Sequence, residues 1–322
     1  MIIGAAGNAL ERNRDYAAVR ADPASAAARF EPRERQLRFL RRRGVGVDED
    51  ADDETLRRGL EKTFGTRDFL AGRWLTEGAA RSDTVARIEI GREHGTGFLV
   101  SPWLLLANNH VLPDEATAAG AGVTFRYVED GRQRIPRSQV VRLDPARCFV
   151  TSDVDVLDYT LVAVEAVGGK PPGKRFGHVP LVGATGKALI GQPVNIVQHP
   201  DGDPRRIAVR ENLLVAIPDE RYLVYETDTE GGSSGAPVFN DNWELVALHK
   251  GMESARDDEG HEIDVHGRRV TARTPAVQRV WVANRGVRVS AIVGDLKAGT
   301  SRRSGTAVGE LVDELLRLGG NQ

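Results

Sequence analysis

TEGGSSGAPVFN, from Thr229 to Asn240, sets a serine among glycines and runs on through Ala-Pro into an apolar strand. Gly231, Gly232 and Gly235 permit a tight turn where side chains would clash. Such a turn can aim two backbone amides at one point. Ser234 is the candidate nucleophile, and the amides of Gly232 and Ser234 are the candidate oxyanion donors, each worth ~10²–10³ in rate.

Two distant segments supply partners. His94 to Asp114, HGTGFLVSPWLLLANNHVLPD, holds two β-type runs that end at Asn-His-Val-Leu, and His110 is the candidate base. Asp153 to Glu165, DVDVLDYTLVAVE, places Asp158 directly before an alternating apolar run, where a carboxylate can orient the imidazole. The order His, Asp, Ser, the Gly-Thr-Gly run before the histidine and the Gly-x-Ser-Gly-x-Pro turn resemble the trypsin-like (chymotrypsin-fold) serine proteases, especially the bacterial glutamyl-endopeptidase branch. The resemblance covers Val85 to Leu296.

That resemblance implies a double β-barrel, with His110 and Asp158 from the first barrel and Ser234 from the second. It implies an acyl-enzyme on Ser234. It also implies a specificity pocket lined by the strand ELVALHKG, Glu244 to Gly251. His249, and Thr229 five residues before the nucleophile, match the pair that binds a substrate glutamate in that branch. A hydroxyl and an imidazole can both donate to a carboxylate. Lys250 departs from the aromatic or histidine usual there. Ser233 stands where digestive proteases hold the aspartate that captures a freed N-terminus, so N-terminal insertion is not the expected switch.

Two rival readings differ in class. Gly231 to Gly235 also fits the G-x-S-x-G elbow of α/β-hydrolases, with Ser233 as nucleophile, but that elbow leads into a helix and then an acid and a histidine. Here the turn leads into Pro237 and Val238-Phe239, and too little chain separates Ser233 from His249. The other reading is a protease-fold binding module with a silent or partner-gated cleft.

The chain has 322 residues, 40% hydrophobic, enough for two packed barrels and a helical segment. A formal net charge of -2 predicts no general affinity for nucleic acid or anionic membrane. The basic run Arg33 to Arg43 is followed by the acidic run Asp48 to Glu54, which fits mutual compensation. Cys148 is the single cysteine, so no internal disulfide forms, which fits a reducing compartment. The longest apolar stretch, around Phe98 to Ala107, contains Ser101 and Pro102 and falls short of the ~18 residues that span a bilayer. The first residues lack a basic n-region, and a cytoplasmic location is the expectation.

Helical patterns fill residues 1–82: Pro32 opens an Arg-rich segment, Leu56, Leu60 and Phe64 repeat along one face, and Leu70 and Trp74 share another. This region is read as a brace or as the docking site of a regulatory partner. Short β-type runs punctuated by turn residues follow, and fit a barrel or sandwich. The first barrel is expected over 83–175 and the second over 176–298, with the boundary in the stretch Gly168 to Pro180. Val308, Leu311, Val312 and Leu315 predict an amphipathic C-terminal helix within 299–322. HEIDVH, His261 to His266, is read as a solvated loop, and no metal or cofactor is expected. The expected activity is endoproteolysis of protein or peptide substrates, with a role in bacterial signalling or defence implied by resemblance alone.

Overall fold

A computed structural model describes residues 70–209, 212–257, 259–271, 273–275 and 278–320. The helical patterns expected over residues 1–69 lie outside them. Helix α1 (Arg73–Asp83) leads into β1 (Val85–Ile90), β2 (Glu93–Leu99) and β3 (Leu104–Ala107). The short α2 (Glu115–Gly120) precedes β4 (Gly122–Phe125), β5 (Gln139–Arg142), β6 (Phe149–Ser152) and β7 (Tyr159–Ala163). After α3 (Pro172–Phe176), which lies within the stretch expected to divide the barrels, come β8 (Val194–Gln198), β9 (Arg206–Ala208), β10 (Leu214–Ala216) and β11 (Tyr222–Tyr225). Then follow β12 (Pro237–Asn240), β13 (Leu245–Ser254), β14 (Trp281–Arg288), α4 (Val289–Ala298), β15 (Arg302–Ser304) and α5 (Val308–Gly320).

The strands form two antiparallel sheets, ordered β15-β6-β7-β3-β2-β1-β4-β5 and β10-β11-β14-β13-β12-β8-β9. The expected mainly β architecture, built on two antiparallel sheets, is therefore what the chain adopts. One apolar core joins the two sheets: Phe98, Leu106 and Leu161 from the first meet Phe239, Leu248 and Val287 from the second. Burying each such side chain stabilises the fold by ~1.5–3 kcal/mol relative to exposure, so relative sheet placement is a property of the core.

The same core takes in Ile292 and Leu296 of α4 and Leu311, Val312 and Leu315 of α5. Gly319 packs so close to residue 181 that a Cβ there would lie 2.0 Å from the Leu181 carbonyl oxygen. The C-terminal helix thus docks by its predicted face. At the other end, Trp74 of α1 packs on Trp243 at 4.9 Å between ring centroids, and the Trp243 indole N–H donates to the Trp74 carbonyl at 2.9 Å. Leu70, grouped with Trp74 in the sequence, precedes the helix and is exposed.

Several elements differ from expectation. β14 carries Asn284-Arg285-Gly286 in its middle, which breaks the apolar alternation, and its burial comes from pairing with β11 and β13. β15 returns from the C-terminal segment to pair with β6 of the first sheet. HEIDVH is less open than expected: Ile263 and Asp264 are buried, and the Asp264 carboxylate accepts hydrogen bonds from the amides of His266 and Arg268 and from the Arg268 side chain. No helix among the described residues is long and apolar enough to cross a membrane.

Candidate active site

The segment after β3 is tied to the β6–β7 hairpin by two buried amides. Asn108 Nδ2 donates to the Asp158 carbonyl at 2.8 Å, and Asn109 Nδ2 donates to Thr151 Oγ1 at 2.9 Å. His110, the next residue, is thereby held over Asp158. Its backbone N–H donates to Asp158 Oδ1 at 3.0 Å, and its ring Nδ1 lies 2.8 Å from Oδ2. Asp158 is fully buried and adopts φ +47°, a left-handed conformation that aspartate tolerates better than most residues. The His110 side chain keeps 36% exposure, so it can meet a substrate from the cleft.

The nucleophile turn is cradled by β2 and by the turn after β8. The Thr96 hydroxyl donates to the Gly232 carbonyl at 2.7 Å and accepts the His199 N–H at 3.1 Å, while the Thr96 N–H donates to the Ser234 carbonyl at 2.8 Å. Gly235 N–H donates to the His249 carbonyl at 3.0 Å, which fastens the turn to β13. Gly232 has φ +84°, and a Cβ there would lie 2.6 Å from the His199 carbonyl oxygen. The glycines are thus required by both conformation and space. Among the described residues, neither the Gly232 nor the Ser234 amide donates a backbone hydrogen bond.

The Ser234 hydroxyl donates to the Lys250 carbonyl at 3.5 Å and not to the His110 ring. The structure therefore links the candidate base to the candidate acid and leaves the candidate nucleophile unlinked to the base. Such bonds often tighten only in the substrate complex.

The pocket residues have partners that the sequence did not reveal. His249 is buried, with Nδ1 2.8 Å from the Tyr225 hydroxyl. Burial raises the Tyr225 phenol well above its ordinary value. Burial, with His110 nearby, pushes His249 down to about 3. Burial thus favours the neutral form of both groups, and among the described residues His249 Nδ1 is the acceptor within reach of the phenol proton, an arrangement that puts the imidazole proton on Nε2. Thr229 Oγ1 donates to Asn284 Oδ1 at 2.6 Å. Asn284 Nδ2 donates to the Thr227 carbonyl at 2.8 Å, which fixes the amide's orientation and commits the Thr229 proton to Asn284. Gly251 follows a register shift between β13 and β14. A cavity of about 1040 Å³ adjoins this region, and its wall includes Thr229 and Asn284 together with Asp203, Glu226, Asp228 and Glu230.

His199, read from the sequence as structural, is buried with Nδ1 2.9 Å from the Asp203 carbonyl, and burial pushes it down to about 4. Two buried histidines with lowered values have a consequence for stability. Above an unfolded-state value of about 6.5 both states are neutral and the stability is complete. As pH falls from there toward 4, the unfolded chain takes up protons that the folded chain refuses, at up to ~1.4 kcal/mol per pH unit for each group. The melting temperature is expected to fall across that window, and less steeply in His249→Gln; thermal unfolding at a series of pH values measures both.

Thr96, Asn108, Tyr225 and Asn284 are site residues that sequence reasoning missed. Lys250 was visible only as a departure from the family pattern. Its ammonium lies 3.4 Å from Asp158 Oδ2 and donates to the Val154 carbonyl.

Residues 95–248 match the family model described as a trypsin-like peptidase domain. The chain is 38% identical over 300 residues to the uncharacterized protein y4fB of Sinorhizobium fredii (strain NBRC 101917 / NGR234), covering 85% of this chain and 43% of that one. It is 28% identical over 196 residues to the secreted RxLR effector protein 73 of Plasmopara viticola, covering 52% of this chain and 44% of that one. The chain thus spans less than half the length of these curated relatives. A solved Glu endopeptidase in complex with MPD superposes with a TM-score of 0.47 at 15% identity, over 71% of this chain and 94% of that one.

Proposed function

Because residues 95–248 form a trypsin-like peptidase domain, we propose that the protein is a serine endopeptidase in which Ser234 attacks the scissile carbonyl. His110 takes the hydroxyl proton and returns it to the leaving amine. Asp158 holds the tautomer and stabilises the imidazolium. The amides of Gly232 and Ser234 receive the oxyanion, and water attacks the acyl-enzyme with His110 again as base. The observation that carries the reading is the doubly bonded His110–Asp158 pair beside a serine turn whose two amides have no backbone acceptor among the described residues.

Cleavage after glutamate is the finer proposal. It is supported by Thr229 and His249 at matching positions and by an Nε2–H on His249 suited to a carboxylate. Burial disfavours a charge on His249, so the imidazole would contribute a hydrogen bond and not a cation. Thr229 would have to release Asn284 to donate as well. A second reading, cleavage beside a basic residue, is favoured by the cavity wall that contains Asp203, Glu226, Asp228 and Glu230. Incubating the protein and Ser234→Ala with a proteome-derived peptide mixture, then mapping new termini by mass spectrometry, separates the two. Ser234-dependent cuts after glutamate support the first; cuts beside lysine or arginine support the second. Absence of Ser234-dependent cuts would favour the protease-fold binding module with a silent or partner-gated cleft over an open endopeptidase.

Residues 1–82, or a partner bound there, are proposed to control the cleft. The support is that α1 packs on Trp243, in the turn between β12 and β13, the two strands that follow the nucleophile. A reducing, cytoplasmic setting belongs to the same reading and is supported by the lone Cys148, a buried thiol. A role in bacterial signalling or defence remains a proposal from resemblance alone.

A further inference from the structure

We propose that Lys250 is a positioning residue of the site: its ammonium counters the buried Asp158 carboxylate and so makes His110 a weaker base than an uncompensated Asp158 would. The inference rests on the roles proposed for His110 and Asp158. Asp158 is fully buried, and Oδ2 faces two partners, His110 Nδ1 at 2.8 Å and Lys250 Nζ at 3.4 Å. A lone buried carboxylate is costly, and a cation beside it offsets that cost. The same cation opposes a second positive charge on His110, because the imidazolium then sees a carboxylate already neutralised.

Lys250 also ties the two sheets together at the site. Its side chain reaches from β13 to the loop before Asp158, where the ammonium donates to the Val154 carbonyl, and its own carbonyl accepts the Ser234 hydroxyl at 3.5 Å. Tyr222 of β11 supports the same loop, its hydroxyl donating to the Val156 carbonyl at 3.0 Å. The other charged or titratable groups around the pair are His249, the preceding residue on β13, which is buried and held neutral, and Asp153 and Asp155 on the loop, which are exposed. Among the described residues, Lys250 is thus the Lys or Arg placed directly against the acid. It links acid and nucleophile through one residue, side chain to the first and backbone to the second.

The test is a titration of the His110 ring by ¹⁵N-imidazole NMR on the full chain, in the wild type, Lys250→Met, Lys250→Gln and Lys250→Arg. The midpoint is expected to rise by about 0.5–1 pH unit in the Met and Gln variants and to stay near the wild type in the Arg variant. The acid limb of kcat/KM should move up in pH by the same amount. An unchanged His110 midpoint in a folded uncharged variant would overturn the proposal. So would unfolding of both uncharged variants while Lys250→Arg folds, which would make Lys250 a structural brace. The NMR readout needs no turnover, so a shifted midpoint without cleavage would reject the endopeptidase reading and leave the placement of Lys250 standing.

Discussion

Ser234→Ala is expected to lower kcat by about 10⁶-fold, the scale on which a triad nucleophile acts. The expectation combines two observations. His110 and Asp158 are already joined by two hydrogen bonds, so the proposed base is oriented, while the other serine of the turn, Ser233, is buried with its hydroxyl oxygen accepting the Glu230 N–H. The Ser234 hydroxyl, by contrast, contributes one long hydrogen bond to the Lys250 carbonyl, so its removal costs the fold little. The melting temperature should therefore move by no more than about 2 °C, since one weak bond is worth under about 1 kcal/mol. Activity loss with unchanged unfolding, read by peptide hydrolysis and calorimetry, is the signature. A variant that unfolds, or one that keeps its activity, would each contradict the assignment.

Gly235→Ala is expected to have the largest effect on stability, about 4 kcal/mol or more, in the range that marks a specific steric cause. A Cβ at this position would lie 1.9 Å from the Thr96 carbonyl oxygen and 3.4 Å from the Asn108 amide nitrogen. Both contacts are backbone, and both belong to the segments that hold the site, so neither can yield as a side chain would. The φ of +89° adds strain of ~1–3 kcal/mol for any residue with a Cβ. Gly231→Ala is the control. Its Cβ would meet a single atom, Asp201 Oδ1 at 3.2 Å, on a side chain that can turn aside, and a change within about 1 kcal/mol is expected. Urea unfolding of the two variants gives the comparison directly; equal midpoints would show that the close approach of β2 to the turn is not a feature of the folded protein.

The legible part of this protein is the part in which backbone demands select residue types. A turn needing positive φ at Gly232 and Gly235 leaves glycine as the fitting choice, so GGSSG reads as a tight turn from the sequence alone. The runs WLLLA and YTLVAV mark strands because most of their residues are buried in the core, and VARIEI does so with Val85, Ala86 and Ile88 buried. Leu311, Val312 and Leu315 read as a docking face for the same reason.

What escaped reading depends on contacts between segments far apart in the chain. β14 is hidden because Asn284, Arg285 and Gly286 occupy its middle, where Gly286 admits Tyr225 so closely that a Cβ would lie 3.1 Å from the phenolic oxygen. Thr229 and His249 are matched to a specificity pocket through the family resemblance. Their engagement by Asn284 and Tyr225 could not be read that way, since those partners are fixed by strand register. Lys250 looked like a mere substitution, because the carboxylate it faces lies 92 positions upstream in the other sheet. Of the four acids of the cavity wall, Glu226, Asp228 and Glu230 share the short stretch after β11, and Asp203 joins them only when the turn after β8 meets that stretch.

The central claim is that Ser234 is a nucleophile activated by His110. It is tested most directly by exposing the full chain to a serine-directed aryl phosphonate and locating the adduct by peptide mass spectrometry. Stoichiometric phosphonylation of Ser234 is expected, abolished in Ser234→Ala and strongly slowed in His110→Ala. An unlabelled Ser234 in folded protein, or an adduct on Ser233 instead, would contradict it.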